Sequence, residues 1–389
     1  MTQEFSSLVP PILRASTVKF GSLEDFVARA ARLPDGFSYG TTGTPSHRGL
    51  EARIAGLDKG RHCVVVPSGQ AAIALVMMAV LKAGDHLLIS DSSYGPAVTF
   101  AMEQMAQLGV VVERYDPAID GEGIAALLRP NTKLLWMESP GSITMEVQDV
   151  AALVAQAQKR GVLTAIDNTW SSPLYFQPLA LGVDLCIHAC TKYMGGHSDL
   201  LMGSISMNDL GLYKRVRHLQ SYMGLASSAD DCFLVQRGLE TLALRMAHQS
   251  AVALDIAQWL EGQACVRQVL HPALPSSPSH TLWKKQFSGS GGVFSLVLEP
   301  APYEAYQAFF ADLQTLSIGA SWGSVHSLIA YYPAQVQDGR AFPLVREPMV
   351  RISVGLEGAQ AIREDLERAL GRFRQVAQPT ALAVASAGT

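Results

Sequence analysis

Between residues 62 and 188 the chain alternates short, continuous apolar runs with segments of helical period. No other feature limits the fold as strongly. The apolar runs are His62–Pro67, His86–Ser90, Val110–Tyr115, Thr132–Glu138, Val162–Asp167 and Asp184–His188. Helical patterns lie between them at Gln70–Lys82, Pro96–Leu108, Gly123–Leu128 and Asp149–Arg160, with Gly84, Gly109 and Gly161 as stop signals. A strand that is apolar throughout is covered on both faces. Six such strands joined by helices predict a mainly parallel sheet in a doubly wound α/β domain.

The flanking regions read differently. Residues 1–47 hold Pro10, Pro11, Pro34, Gly36, Gly40, Gly43 and Pro45, and only Leu23–Leu33 looks helical. Such a segment is an arm, ordered by packing on something else, here a neighbouring subunit. After a long helical stretch, Asp230–Leu260, strands are expected at Val266–His271, Gly292–Leu298 and Met349–Val354, and helices at Tyr303–Leu313 and Gly358–Phe373. That mixture describes a smaller α+β domain. The organisation is then an arm (1–47), an α/β domain (48–240), a C-terminal α+β domain (241–377) and an Ala/Ser/Gly-rich tail (378–389) expected to fray.

Composition narrows the partners. Charged residues make up 16% of the chain, against about 25% in an ordinary globular protein. A surface so poor in charge is expected to be partly covered by another copy of the chain. The net charge is -4 and no basic run occurs, so nucleic acid is not an expected partner. The longest apolar stretch, Ala71–Leu81, is too short to cross a membrane, and the N-terminus lacks the basic region of a secretory signal. The cytoplasm is the expected compartment. Five cysteines, an odd number in a large chain, point to reduced thiols. Cys186-x-His188-x-Cys190 matches no common zinc spacing and is better read as an alternating strand, so no metal is expected.

The chemistry is concentrated at Val162–His197. In an open parallel sheet, functional groups gather beyond the carboxyl ends of the strands. Asp167 is the last residue of one apolar run, and Lys192 lies just past the end of the next. Two neighbouring strands thus deliver a carboxylate and an amine to one crevice. Pyridoxal 5'-phosphate needs this pair: the amine bonds the aldehyde, and the carboxylate keeps the ring nitrogen protonated. A phosphate cradle is offered by Ser68-Gly69-Gln70, which follows the first strand and opens a helix. Thr191 adds a hydroxyl. Tyr94, after the second strand, is placed to stack on a planar ring.

These words together resemble the pyridoxal-phosphate-dependent Cys/Met metabolism (transsulfuration) family, over about residues 5–375. The matching words are Tyr39-Gly40, Gly43-Thr44-Pro45, Ser68-Gly69, Glu138-Ser139-Pro140-Gly141-Ser142 and Ile166-Asp167-Asn168-Thr169-Trp170. They continue with Thr191-Lys192-Tyr193, Gly196-His197-Ser198-Asp199, Ser321-Trp322-Gly323 and Arg351. The resemblance implies the aspartate-aminotransferase-like (type I) fold, with a seven-stranded-type sheet. It implies a carbon–sulfur lyase acting on L-cystathionine or a related cysteine thioether in amino-acid metabolism and methionine biosynthesis, with a γ-lyase or γ-replacement transferase as the alternative. Trp322 after Ser321 points to bond breaking at Cβ. By the same resemblance Lys192 is the cofactor lysine and catalytic base, with Tyr94 or Tyr39 as proton donor. Asp167, Tyr94, Ser68, Gly69, Gln70 and Thr191 hold the cofactor. Arg351, Ser321, Trp322 and Asn168 bind the substrate. Tyr39 reaches the site from a neighbouring subunit, in a dimer of dimers.

The sequence departs from the family's pattern at three positions. Thr41 replaces a phosphate-binding arginine, with Arg48 the nearby candidate to compensate. His326 stands where relatives carry Glu, and Ala189 where they often carry a phosphate-binding Ser.

Overall fold

The computed structural model describes residues 7–377, so the expected tail, 378–389, lies outside the described residues. Seven strands form the larger sheet: β1 His62–Val66, β2 His86–Ser90, β3 Val111–Tyr115, β4 Thr132–Glu138, β5 Leu163–Asp167, β6 Leu185–Ala189 and β7 Gly203–Met207. Their spatial order is β1-β7-β6-β5-β4-β2-β3. All neighbours from β6 to β3 run parallel, and β7 is antiparallel to both β6 and β1. The six apolar runs of the sequence are therefore strands. The seventh, Gly-Ser-Ile-Ser-Met, hides its place because two of its five residues are serine, yet all five are buried.

Helices begin and end on local signals. Ser68, Asp120, Asp149 and Asp209 each accept a first-turn backbone N–H with the side chain, the usual way to satisfy a helix start. Gly84, Gly109 and Gly161 take positive φ after helical segments, as helix stops require. The helix expected at Pro96–Leu108 widens into a π-helix over Phe100–Met105. The long stretch Asp230–Leu260 is two helices, Ala229–Glu240 and Leu242–Glu261, broken at Thr241. Helices at Pro45–Leu57 and Leu210–Tyr222 fill gaps the periodicity leaves blank.

The second sheet has five strands: β8 Val266–Leu270, β9 Val293–Leu298, β10 Ser317–Ile318, β11 Leu328–Tyr332 and β12 Met349–Ser353, in the order β10-β11-β12-β9-β8. One face of this sheet, including Phe294, Leu296, Ile329, Val350 and Ile352, packs on the helix Ala359–Ala377 through Ile362, Leu366 and Phe373. Arg351 alternates to the other face. Register then fixes what stands beside it: Ala330 on β11 and Ser295 on β9.

Candidate active site

Strand ends of the large sheet carry the site. Asp167 closes β5, with Glu138 of β4 and Ile187 of β6 as register partners. Its Oδ1 accepts from the Thr169 backbone N–H at 2.9 Å and from the Thr169 hydroxyl at 2.5 Å. No donor among the described residues reaches Oδ2. Burial pushes the Asp167 carboxyl up from its usual range, against the bonds from Thr169. A carboxylate with one unshared oxygen in a buried place suits a protonated ring nitrogen.

Lys192 follows β6 in a tight turn closed by Gly195 N–H on the Cys190 carbonyl and Gly196 N–H on the Lys192 carbonyl. Its Nζ donates to Ser321 Oγ at 2.7 Å and lies 5.3 Å from the centre of the Trp322 ring. Burial pushes its pKa down to about 8, and the Arg351 charge adds to the effect. Gly323 permits this approach. It has φ +82, and a Cβ there would lie 3.2 Å from the Lys192 Cβ.

Arg351 is 7% exposed, and its Nη2 donates to the Ser321 carbonyl at 3.1 Å. Its guanidinium lies 5.2 Å from the centre of the Tyr332 ring. Among the described residues no carboxylate pairs with it, and burial lowers its pKa. A buried guanidinium without an acid partner is a ready clamp for a substrate carboxylate.

The expected phosphate cradle is the start of the helix Gly69–Val80. Ser68 Oγ accepts from Ala71 N–H at 3.0 Å. The N–H groups of Gly69 and Gln70 have no acceptor among the described residues, and Gln70 Oε1 is buried without a partner. The backbone is pressed against β6: a Cβ on Gly69 would lie 2.7 Å from the Ala189 Cβ. Two free N–H groups at a helix start fit a phosphate.

Tyr94 follows β2, 44% exposed, and its backbone N–H donates to Glu138 Oε2 at 2.6 Å. Burial raises the Tyr94 hydroxyl pKa, with Asp167 and Glu138 adding to it. Glu138 has no role in the sequence reading. The strand-end rule that singles out Asp167 applies equally to it, since it closes β4 in register with Asp167. Burial, and Asp167 beside it, push its carboxyl well above the usual range. Tyr332 was also unforeseen: it ends β11 without any periodic signal.

Three expectations are corrected. Asn168 does not face the clamp. It is 1% exposed, donates from Nδ2 to the Phe176 carbonyl at 2.9 Å, and accepts from Ser171. Its amide is used inside the turn after β5. The Thr191 hydroxyl donates to the Met202 carbonyl at 3.2 Å and accepts from Met202 N–H at 3.0 Å, so it closes the approach to β7 rather than pointing a free donor at a phosphate. Arg48 is not spare: Nε holds the Asp35 carbonyl, Nη2 the Thr42 carbonyl and Nη1 the Glu51 carboxylate. Tyr39 is 53% exposed, and no hydrogen bond or ring contact ties it to the Lys192 cluster within one chain. His326 is exposed and its ring makes no hydrogen bond; nothing in the structure explains the exchange there. Asp58, Cys186 and His188 meet in the core, with His188 Nε2 bonded directly to Asp58 Oδ1 at 2.8 Å.

Known proteins resemble this chain over most of its length. A cystathionine beta-lyase of Bordetella avium is 37% identical over 366 residues, covering 93% of this chain and 91% of that protein. A mouse cystathionine gamma-lyase is 35% identical over 370 residues, covering 94% and 90%. The crystal structure of a cystathionine gamma synthase from Xanthomonas oryzae in complex with cystathionine has TM-score 0.88 at 30% identity, covering 95% of this chain and 94% of that one. Residues 1–371 match the family described as Cys/Met metabolism PLP-dependent enzyme, and the chain belongs to that family.

Proposed function

We propose that the protein breaks the carbon–sulfur bond of L-cystathionine or a related cysteine thioether by α,β-elimination, releasing a thiol, pyruvate and ammonia. The observation that carries this reading is the Lys192 amine. Its pKa is down to about 8, and it lies between the Ser321 hydroxyl and the ring of Trp322, with the Arg351 charge close enough to lower that pKa. A base near the working pH, beside a carboxylate clamp, suits removal of a proton from Cα.

Pyridoxal phosphate, when bound, supplies an electron sink for the charge left at Cα. Arg351 binds the substrate carboxylate and fixes Cα relative to Lys192. The Lys192 amine takes the Cα proton at Nζ and delivers a proton to the departing sulfur, with the Tyr94 hydroxyl as a second donor. Asp167 would hold the ring nitrogen, with Oδ2 left free by the Thr169 bonds to Oδ1. The indole of Trp322 covers the amine and restricts water. A γ-acting reading would use the same residues; Trp322 supports the β reading.

The assembly in this proposal is a homo-oligomer, a dimer of dimers, in which Tyr39 of one subunit serves the neighbour's site. The exposed apolar residues of the arm support it: Leu8, Leu23, Phe26 and Val27 face solvent in the single chain. The cytoplasm is the proposed compartment, consistent with five free, buried thiols. Among the described residues no helix is long and apolar enough to cross a membrane.

The test is to incubate the cofactor-loaded protein with L-cystathionine and identify the keto acid by mass. Pyruvate is expected, and Lys192→Ala is expected to abolish it. 2-Oxobutyrate would move the reading to the γ-carbon, and full turnover by Lys192→Ala would overturn the role of the lysine.

A further inference from the structure

A buried cation needs compensation, and the Arg351 guanidinium finds no carboxylate among the described residues. What it has there is one hydrogen bond, from Nη2 to the Ser321 carbonyl at 3.1 Å, and the ring of Tyr332, whose centre lies 5.2 Å away. The Tyr332 hydroxyl makes no hydrogen bond among the described residues, so the ring face is what Arg351 meets.

A ring face and a carboxylate do different things to a guanidinium. The face attracts the positive charge through the ring quadrupole. It takes up none of the carboxylate-matching fork of N–H groups in the guanidinium plane. An acidic side chain in place of Tyr332 would fill that fork and compete with an incoming carboxylate. A tyrosine compensates the charge and leaves the fork open.

The fold fixes the ring in this place. Tyr332 pairs with Met349 across β11 and β12, and Met349 with Val297 across β12 and β9. Tyr332 lies two residues beyond Ala330, the register partner of Arg351, so its side chain stands on the Arg351 face of the sheet. On that face Tyr332 and Trp322 both pack against the buried cluster that holds Met349, Val297, Val345 and Trp170. Beyond Tyr332 the chain is tied to the large domain. The Ala341 and Phe342 N–H groups donate to the Asp91 carboxylate at 3.1 and 2.8 Å. Arg340 donates to the Thr144 hydroxyl at 2.7 Å and to the Ser142 carbonyl at 2.9 Å. These bonds hold the chain after β11 on the loops that follow β2 and β4.

The place of the guanidinium also matters to the lysine. Burial first, and the Arg351 charge second, bring the Lys192 pKa down to about 8. An Arg351 free to turn away would weaken both the clamp and this effect.

We propose that Tyr332 is a positioning residue for the substrate clamp: the face of its ring stands in for a counter-anion, holds the Arg351 guanidinium beside Ser321, and leaves the remaining N–H groups open to a carboxylate. The inference rests on the clamp role given to Arg351 above and names the residue that keeps that clamp charged, aimed and empty.

The test separates carboxylate binding from everything else. L-Alanine offers the clamp a carboxylate, and L-alaninamide lacks one. Both are titrated into the cofactor-loaded protein and followed by absorbance. Tyr332→Leu removes the ring face and is expected to weaken L-alanine by about 5- to 30-fold, the range of a desolvated cation–π contact, with L-alaninamide within about twofold of wild type. Tyr332→Phe keeps the face and is expected to bind L-alanine within about threefold of wild type. The second readout is the pH midpoint for chemical labelling of Lys192 in the apoprotein. Tyr332→Leu releases the guanidinium, so the midpoint is expected to move upward from about 8, as in Arg351→Met, and to stay in place in Tyr332→Phe. A ring that only fills space would not move it. Wild-type L-alanine binding in Tyr332→Leu, an unmoved midpoint in that variant, or a Tyr332→Phe as weak as Tyr332→Leu overturns the assignment. Arg351→Met is titrated alongside. If it binds L-alanine as the wild type does, the clamp reading itself has failed; if it loses L-alanine while Tyr332→Leu does not, the role of Tyr332 alone has failed.

Discussion

Gly69→Ala is the sharpest probe of the proposed phosphate cradle. The added Cβ would lie 2.7 Å from the Ala189 Cβ, whereas ordinary contacts of such carbons begin at 3.4 Å. The two must part by about 0.7 Å. The helix Gly69–Val80 cannot slide as a body, because Ala72, Ile73, Leu75, Val76 and Met77 are locked in the core. The movement therefore falls on the first turn, where the free N–H groups of Gly69 and Gln70 stand. A hydrogen bond stretched by that much, from about 2.9 to about 3.6 Å, is no longer one. Losing one such bond to an anion costs about 1.5–3 kcal/mol, or roughly 10- to 150-fold in cofactor affinity. Absorbance titration of the apoprotein with pyridoxal phosphate reads this directly. Pairing Gly69→Ala with Ala189→Gly removes the opposing carbon and leaves Ala189 Cα, at 3.2 Å, as the nearest atom. Most of the lost affinity is expected to return. A single variant within threefold of wild type, or a double variant as weak as the single one, would refute this account of the cradle.

Other groups give independent checks. Arg351 lowers the Lys192 pKa by charge repulsion. Arg351→Met therefore raises it, and the pH midpoint for chemical labelling of the apoprotein's Lys192 amine moves upward from about 8; an unmoved midpoint removes Arg351 from the lysine's surroundings. His271 is fully buried, with Nε2 unpartnered and its pKa pushed down by burial from 6.5 to about 4. Between those values the unfolded chain holds a proton that the folded chain does not, so stability is lost as pH falls from 6.5 to 4. The loss amounts to about 3 kcal/mol, and urea unfolding of His271→Phe should show a flatter acid limb. Arg217 Nη2 meets Glu51 Oε1 at 2.7 Å with both side chains buried. Arg217→Met strands part of that buried charge and should lower the unfolding free energy by about 3 kcal/mol. Arg48 stays on Glu51 Oε2, which keeps the loss from being larger.

What could be seen in the sequence follows physical rules of different reach. The parallel strands were legible because burial on both faces makes each a continuous apolar run, as in His86–Ser90, where all five residues are buried. Asp167 and Lys192 were legible because a strand end in such a sheet is a fixed place in space. β7 was not, since an antiparallel strand with buried serines has no apolar signature. Hydrogen-bond direction was also hidden. Asn168 sits next to Asp167 in the chain, yet its amide is satisfied by the turn it caps, and neither spacing nor residue type shows which way a short polar side chain turns. Tyr332 and Arg351 are 19 positions apart and meet only because β11 and β12 pair in one register, which no local pattern specifies.

The same limit governs the charge of the cofactor phosphate. In sequence, Arg48 looks available to replace the missing arginine at position 41. In space its guanidinium is divided among the Asp35 carbonyl, the Thr42 carbonyl and Glu51, and it holds the arm's turn to the helix Pro45–Leu57. Releasing it would leave Glu51, already bound to Val65 N–H and Arg217, with less cover for a buried charge. Thr41 itself is tied at its carbonyl to Gln220 Nε2. Of the other neighbouring positions, Ala189 has no hydroxyl, and Thr191 gives its proton to Met202. Within one chain the proposed phosphate site then rests on the Ser68 hydroxyl, the two N–H groups at the start of the helix Gly69–Val80 and the partial positive charge of that helix end. In the proposed reading, neutral donors stand where the family pattern implies a charged fork, so their placement is expected to carry much of the cofactor binding, and the close approach that a glycine at 69 allows becomes the critical dimension of the site.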